Sequence, residues 1–197
     1  MRVLKKQPVA ILIALIVVAG AIFFGVNRSV GEEVAAVRAQ FYEGVFDSQA
    51  GFTRPGIQGE LTQRTTAAMR MLSIGEHSHA DSSELEQAGR ELHAARAALI
   101  DLLTAGAGPS ALFAADQTLS LAAARYYAIL HPLVEAAVGD DLEALEASHN
   151  TLLAAAGVIE TSGYNEAVGA FHRTVLGGFP MNVLRAFVFV QMPELFA

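Results

Sequence analysis

The sequence predicts an all-α protein in which one N-terminal transmembrane helix is followed by an antiparallel bundle of about four long helices. Residues 8–26 form an apolar run of nineteen residues without a charge. The remainder is rich in Ala and Leu, which are strong helix formers. Strand signals, such as hairpin dipeptides between alternating β-branched runs, are nearly absent. Successive amphipathic helices with short connections favour an antiparallel bundle.

The apolar run has the length of a membrane anchor. At about 1.5 Å per residue it spans roughly 28 Å, close to the hydrocarbon thickness of a bilayer. A cleaved signal peptide is the alternative, with Ala19, Gly20 and Ala21 as a small-residue cleavage site. However, Ile22 and Phe23 continue the run, and signal-peptide cores are shorter, at roughly 7–15 residues. We therefore predict an uncleaved anchor over residues 8–26.

The charges on either side of the anchor predict its orientation. Arg2, Lys5 and Lys6 precede the run, and the positive-inside rule keeps such a flank in the cytoplasm. Residues 1–7 are then cytoplasmic, and the bulk of the chain lies outside the cell (inner) membrane. We expect the membrane itself and other proteins, or further copies of this chain, as partners.

The region after the anchor is strongly acidic. It contains ten arginines and no lysine against all twenty acidic residues, a formal charge of −10. Nucleic-acid binding requires clustered cations, so a nucleic-acid partner is excluded. An anionic lipid surface would also repel a domain of this charge.

No pattern of catalytic residues is present. The chain has no cysteine, which excludes thiolate metal sites and cysteine nucleophiles. No serine lies in a Gly-x-Ser-x-Gly elbow, and a Ser-x-x-Lys pair is impossible because the last lysine is Lys6. The glycines at 105–108 lack the ending of a phosphate-binding loop. We predict a protein that is not an enzyme, with no catalytic residues and no cofactor.

Apolar spacing and breaker residues predict the individual helices. A helix over residues 30–50 continues from the anchor and ends at Gly51, and the next runs from about Gln58 into the low eighties. Ser82 is the predicted N-cap of a third helix, which ends in the stretch 105–109. A fourth runs from Ser110 to about residue 138, with a kink or break at His131-Pro132.

The last long helix is predicted to follow Gly139-Asp140-Asp141 and to continue as one apolar stripe to Val175. Residues 28–180 thus form the bundle, and residues 181–197 form an apolar C-terminal tail. The segment 181–190 is too short to cross a bilayer. It either covers the end of the bundle or lies near the lipid interface.

One cluster of metal-capable side chains lies at residues 76–81. In a helix His77 and Asp81 would share a face, and in an extended chain His77 and His79 would do so. Two histidines and a carboxylate suit zinc or another divalent ion. No HExxH or comparable motif accompanies them, so we predict no metal site and keep these three residues as the candidate ligands of an alternative function.

The C-terminal region resembles the signature of the LemA family. The matching residues are Tyr164-Asn165, Phe179-Pro180-x-Asn182 and the ending Pro193-Glu194-Leu195-Phe196. The anchor followed by Asn27 is similar to the family's single N-terminal transmembrane helix. The chain departs from the family in having no Trp and in carrying His172 where Asn is usual.

This resemblance implies a bacterial, membrane-anchored antiparallel bundle with no catalytic residues to carry over. The predicted function is a helical scaffold or adaptor of the cell envelope that mediates protein–protein interaction. The alternative is an extracytoplasmic sensor domain that binds a metal ion or a small ligand through His77, His79 and Asp81.

Overall fold

A computed structural model of the chain describes residues 7–47, 51–77, 82–137, 141–178 and 181–197. It confirms the all-α class: a long apolar N-terminal helix is followed by a helical bundle, with one small antiparallel sheet in addition. The cationic residues Arg2, Lys5 and Lys6 lie outside the described residues. The chain divides into two compact units, Met1–Arg38 with Glu166–Pro193, and Ala39–Asn165 with Glu194–Ala197.

The first helix, α1, extends without interruption over Gln7–Tyr42. From residue 10 to residue 25 every side chain is exposed, although nearly all are apolar. This helix is long and apolar enough to cross a membrane. Further along, one face becomes buried through residues spaced by three and four, as in any packed amphipathic helix; these are Val30, Val34, Val37 and Phe41.

The prediction that this helix continues to residue 50 is wrong. It ends at Tyr42, and Gly44 then takes a φ of +86°, a conformation that side chains disfavour. Strands β1 (Val45–Asp47) and β2 (Phe52–Arg54) pair antiparallel, with Val45 opposite Arg54. A Cβ on Gly56 would lie 2.6 Å from the Tyr42 carbonyl oxygen, so the base of this hairpin closes against the end of α1.

Four long helices form the bundle: α2 (Ile57–His77), α3 (Ser83–Thr104), α4 (Pro109–Ala136) and α5 (Asp141–Glu160). Helix α2 packs most extensively against α5, and α3 against α4. Three leucines spaced by seven in α3 are buried; they are Leu85, Leu92 and Leu99. Other helices contribute Leu61, Leu119, Leu130, Leu145 and Leu152 to the same core.

Local signals at the ends of α3 are confirmed. Ser82 has extended backbone angles, and its hydroxyl accepts a hydrogen bond from the Leu85 amide at 3.4 Å. Helix α3 ends at Thr104, Gly106 has a φ of +65°, and α4 begins at Pro109. Proline suits the first position of a helix because that amide has no acceptor there.

Of the kink or break predicted at His131-Pro132, the break is wrong, since α4 remains helical through Pro132 to Ala136. Proline deprives the carbonyl of Ala128 of its usual donor. Ala128 and Pro132 are both exposed, so water can hydrate the Ala128 carbonyl. Leu130 and Val134 on either side are buried, and their packing holds the helix together.

The last helix is not continuous to Val175 as predicted. Helix α5 ends at Glu160, and Gly163, with a φ of +74°, separates it from α6 (Tyr164–Phe171). A π-helical turn (His172–Leu176) follows α6. After residues 179 and 180, which are not described, come α7 (Met181–Leu184), a 3-10 turn (Arg185–Phe187) and an extended tail.

Candidate functional site

The predicted metal cluster is described only at its first member. His77 is the final residue of α2, and its Nδ1 lies 2.6 Å from the Ser73 carbonyl oxygen in the preceding turn. His79 and Asp81 lie outside the described residues. In the part of the chain that the structure does describe, no three His, Asp or Glu side chains are grouped in a way that could hold a metal ion.

A groove of about 370 Å³ lies between α2, α3 and α4. Its charged and polar lining comprises Glu76, Glu86, Arg90, His93 and Tyr126. Burial raises the pKa of the Tyr126 hydroxyl to about 12, and the charge of Glu76 adds to the rise. This phenol therefore stays neutral at physiological pH and is available as a hydrogen-bond donor or acceptor.

Glycine makes room for the tyrosine in this groove. A Cβ on Gly75 would overlap the Tyr126 hydroxyl, whereas one on Gly89 would lie at an ordinary 3.4 Å from the ring. The sequence patterns did not predict Tyr126 as a residue of a candidate site. No local motif marks the groove, because its lining residues come from three helices.

Aromatic and titratable residues meet on the surface between α4 and α5. The rings of Tyr127 and His149 are stacked, with centroids 3.8 Å apart and planes 10° apart. His131 lies 3.4 Å from a carboxylate oxygen of Glu146 and 3.8 Å from one of Glu135. Burial lowers the pKa of His149, and the neighbouring His131 lowers it further.

The signature residues Tyr164 and Asn165 bind the last residues of the chain. The Tyr164 hydroxyl donates to the Glu194 carbonyl at 2.8 Å. The Asn165 amide group donates to the Phe196 carbonyl at 3.0 Å and accepts from the Phe196 amide at 2.8 Å. The Phe196 ring packs against Phe41 and Phe113, with centroids 6.0 and 5.2 Å away.

A second asparagine binds an earlier part of the tail in the same way. Asn27 in α1 donates to the Phe187 carbonyl at 2.9 Å, and its side-chain oxygen accepts from the Phe189 amide at 2.9 Å. Arg38, further along α1, donates to the Gln191 carbonyl at 2.9 Å. Side chains of α1 thus bind three backbone polar groups of the tail.

The remaining signature residues contribute less to these contacts. Asn182 is exposed in α7, and its backbone amide donates to the Gly178 carbonyl at 3.0 Å. Phe179 and Pro180 lie outside the described residues. His172 places its Nε2 3.4 Å from the Pro193 carbonyl oxygen, so this departure from the family pattern also contacts the tail.

Comparison of the chain with family models, with curated proteins and with solved structures finds no match. The LemA resemblance therefore stays a prediction from the residues themselves.

An apolar groove of about 230 Å³ lies between α1 and the segment 181–189. The α1 side is formed by residues from the end of the apolar run, and Leu184 and Phe187 form the other side. The lining from α1 is Ala19, Ile22, Phe23 and Val26. Its walls can contact only apolar groups, such as hydrocarbon chains.

Proposed function

We propose that this chain is a membrane-anchored helical scaffold or adaptor of the bacterial cell envelope, similar to LemA proteins. One observation carries the proposal: α1 is a single helix whose first half is apolar and exposed on all sides, and whose second half buries one face. An apolar helix surface exposed all round matches a lipid environment. Phe41, near its other end, packs edge to face with Tyr164 at 5.2 Å.

The orientation forms part of the proposal. Arg2, Lys5 and Lys6 place the start of the helix in the cytoplasm by the positive-inside rule, and the acidic remainder then lies outside the cell membrane. A domain with a formal charge of −10 is repelled by anionic headgroups. That repulsion favours contacts with other proteins over contacts with the lipid surface.

The outer face of α4 supports an adaptor role. Ala114, Leu121 and Ala128 are exposed at intervals of seven residues, and the Leu121 side chain is 74% exposed. Only Asp116, Arg125 and Glu135 carry a full charge in this helix, and Asp116 is buried. An apolar residue flanked by alanines permits the close approach of a helix from a partner protein or from a second copy.

Site-specific photo-cross-linking in living cells tests this function. A photoreactive residue at Leu121 in the full-length chain is expected to give a reproducible adduct with a partner protein or with a second copy. The same residue at Gln87, which is exposed on α3, is the matched control and is expected to give none. Absence of an adduct at Leu121 and along the rest of the α4 outer face would remove the basis of the adaptor proposal.

Ligand sensing is a second candidate function, favoured by the groove that contains Glu76, His93 and Tyr126. Isothermal titration calorimetry of the full-length protein with Zn²⁺ tests this sensor function. Zn²⁺ binding that is lost in the double variant His77→Ala with His79→Ala assigns the ion to the cluster predicted from the sequence. His93→Ala is the control and is expected to leave Zn²⁺ binding unchanged, because the described residues of the groove offer no group of three metal-capable side chains. If titration with Zn²⁺ releases or absorbs no heat of binding, that result contradicts a sensor for this metal.

A further inference from the structure

The segment 181–189 lies beside the last turns of the apolar run of α1. Asn27 holds the segment at this position along α1, because its side chain binds the backbone of Phe187 and Phe189. The same side chain also donates to the Phe23 carbonyl in its own helix at 3.0 Å. The rings of Phe23 and Phe189 lie 5.6 Å apart. If α1 spans a bilayer, this segment lies level with the edge of the hydrocarbon region.

Apolar side chains of the segment face outward. Val183, Phe187 and Phe189 are respectively 65%, 54% and 76% exposed. Exposing such apolar side chains to water is unfavourable, and an apolar surrounding would remove that cost. Arg185 is the one charged residue in 181–189 and is exposed, and a long cationic side chain at this height can reach the headgroups.

Several backbone polar groups of the segment have partners within the protein. Irregular backbone enters an apolar layer only when its polar groups find partners within the protein. Here the Val188 amide donates to the Arg185 carbonyl at 3.2 Å. The neighbouring Phe187 carbonyl and Phe189 amide are bound by the side chain of Asn27.

We propose that residues 181–189 form a second membrane contact, immersed in the leaflet that surrounds the C-terminal end of the span. The groove between α1 and Leu184 and Phe187 holds a lipid acyl chain. This inference rests on the proposed membrane anchoring of α1. It is supported by the continuity of the groove with the apolar surface of the span and by the outward apolar side chains.

The absence of tryptophan from the sequence allows a direct test. Full-length variants that each carry one tryptophan are reconstituted in phosphatidylcholine vesicles with and without brominated acyl chains. Phe187→Trp, Phe189→Trp and Val183→Trp report on the segment. Phe24→Trp reports on the span, and Glu33→Trp, about 14 Å further along the helix, reports on the water side.

We expect Phe187→Trp to lose about as large a fraction of its emission to brominated lipid as Phe24→Trp does, and several-fold more than Glu33→Trp. Strong quenching at position 24 with weak quenching at 183, 187 and 189 would overturn this inference and leave the anchor intact. Weak quenching at all positions would overturn both. Quenching at 187 that decreases as the protein-to-lipid ratio rises would assign the groove to a second copy instead of lipid.

Discussion

The guanidinium Nε of Arg64 in α2 lies 2.6 Å from Oδ1 of Asp116 in α4, with the arginine side chain 1% exposed. Neither atom has a further hydrogen-bond partner among the described residues. The other nitrogens of Arg64 donate to the Leu152 carbonyl of α5 at 3.0 Å and to the Ser120 hydroxyl. One buried cation thus connects three helices of the bundle.

Loss of the acid from this pair is expected to be severe. Asp116→Asn leaves the buried guanidinium without a counter-charge, which costs about 3–5 kcal/mol of folding free energy. Glu91→Gln is the matched control, since Glu91 pairs with Arg125 at 2.7 Å on the surface and its loss costs less than about 1 kcal/mol. Denaturant unfolding of the full-length protein in detergent measures both changes. Equal, small losses of folding free energy in the two variants would contradict a stabilising role of the buried Arg64–Asp116 pair.

Two glycine substitutions are expected to act in opposite directions. Gly75→Ala places a methyl group against the Tyr126 hydroxyl, and such overpacking costs about 1–3 kcal/mol. Gly157→Ala in α5 meets no atom within 4 Å, so the better helix propensity of alanine stabilises the protein by about 0.5–1 kcal/mol. Thermal unfolding monitored by circular dichroism separates the two. A stabilised Gly75→Ala would show that Tyr126 is not held against α2.

The tail contacts of Asn165 are expected to hold the C-terminus in place. Asn165→Ala removes two hydrogen bonds to Phe196, and the net cost is about 1 kcal/mol for each. Carboxypeptidase is then expected to trim the variant faster than the wild type. Asn150→Ala, an exposed position on α5, is the control and is expected to leave the trimming rate unchanged. Identical trimming rates in the wild type and both variants would mean that the Asn165 hydrogen bonds do not hold the C-terminal residues in place.

Acidification is expected to weaken the fold through His149. Its pKa in the folded state lies below the ordinary value of 6.5, so the unfolded chain binds the proton more readily. The stabilising contribution of neutral His149 is therefore complete above pH 6.5, the ordinary value, and is lost as pH falls towards the folded-state pKa. His149→Phe keeps the stacking on Tyr127 and removes the titration. Unfolding midpoints between about pH 7.5 and pH 5.5 should fall more in the wild type than in this variant. Parallel profiles would exclude His149 as the cause.

Much of the fold was predictable from local sequence patterns. The apolar run, the Ser82 cap and the seven-residue spacing of Leu85, Leu92 and Leu99 each depend on residues close together in the chain. The helix ends at Tyr42 and Glu160 were not predicted. At both places the apolar spacing continues past the end of the helix. The helix ends because Gly44 and Gly163 adopt positive φ angles.

The contacts of the candidate site depend on residues distant in sequence. Nothing near Arg64 indicates Asp116 as its partner, and the groove around Tyr126 collects residues from three helices. Asn27 and Asn165 were noted for their family resemblance, but their common role of binding the tail backbone appears only in three dimensions. A side-chain amide carries no sequence signal for which distant backbone it will bind.

Labelling of single cysteines tests the membrane-anchored orientation most directly, because the natural chain contains no cysteine. Spheroplasts expressing full-length Gln87→Cys or Lys5→Cys are treated with a membrane-impermeant maleimide before and after permeabilisation. We predict that Gln87→Cys reacts in intact spheroplasts and that Lys5→Cys reacts only after permeabilisation. The reverse pattern, or labelling of both positions only after permeabilisation, would contradict a membrane-anchored bundle on the outer side of the cell membrane.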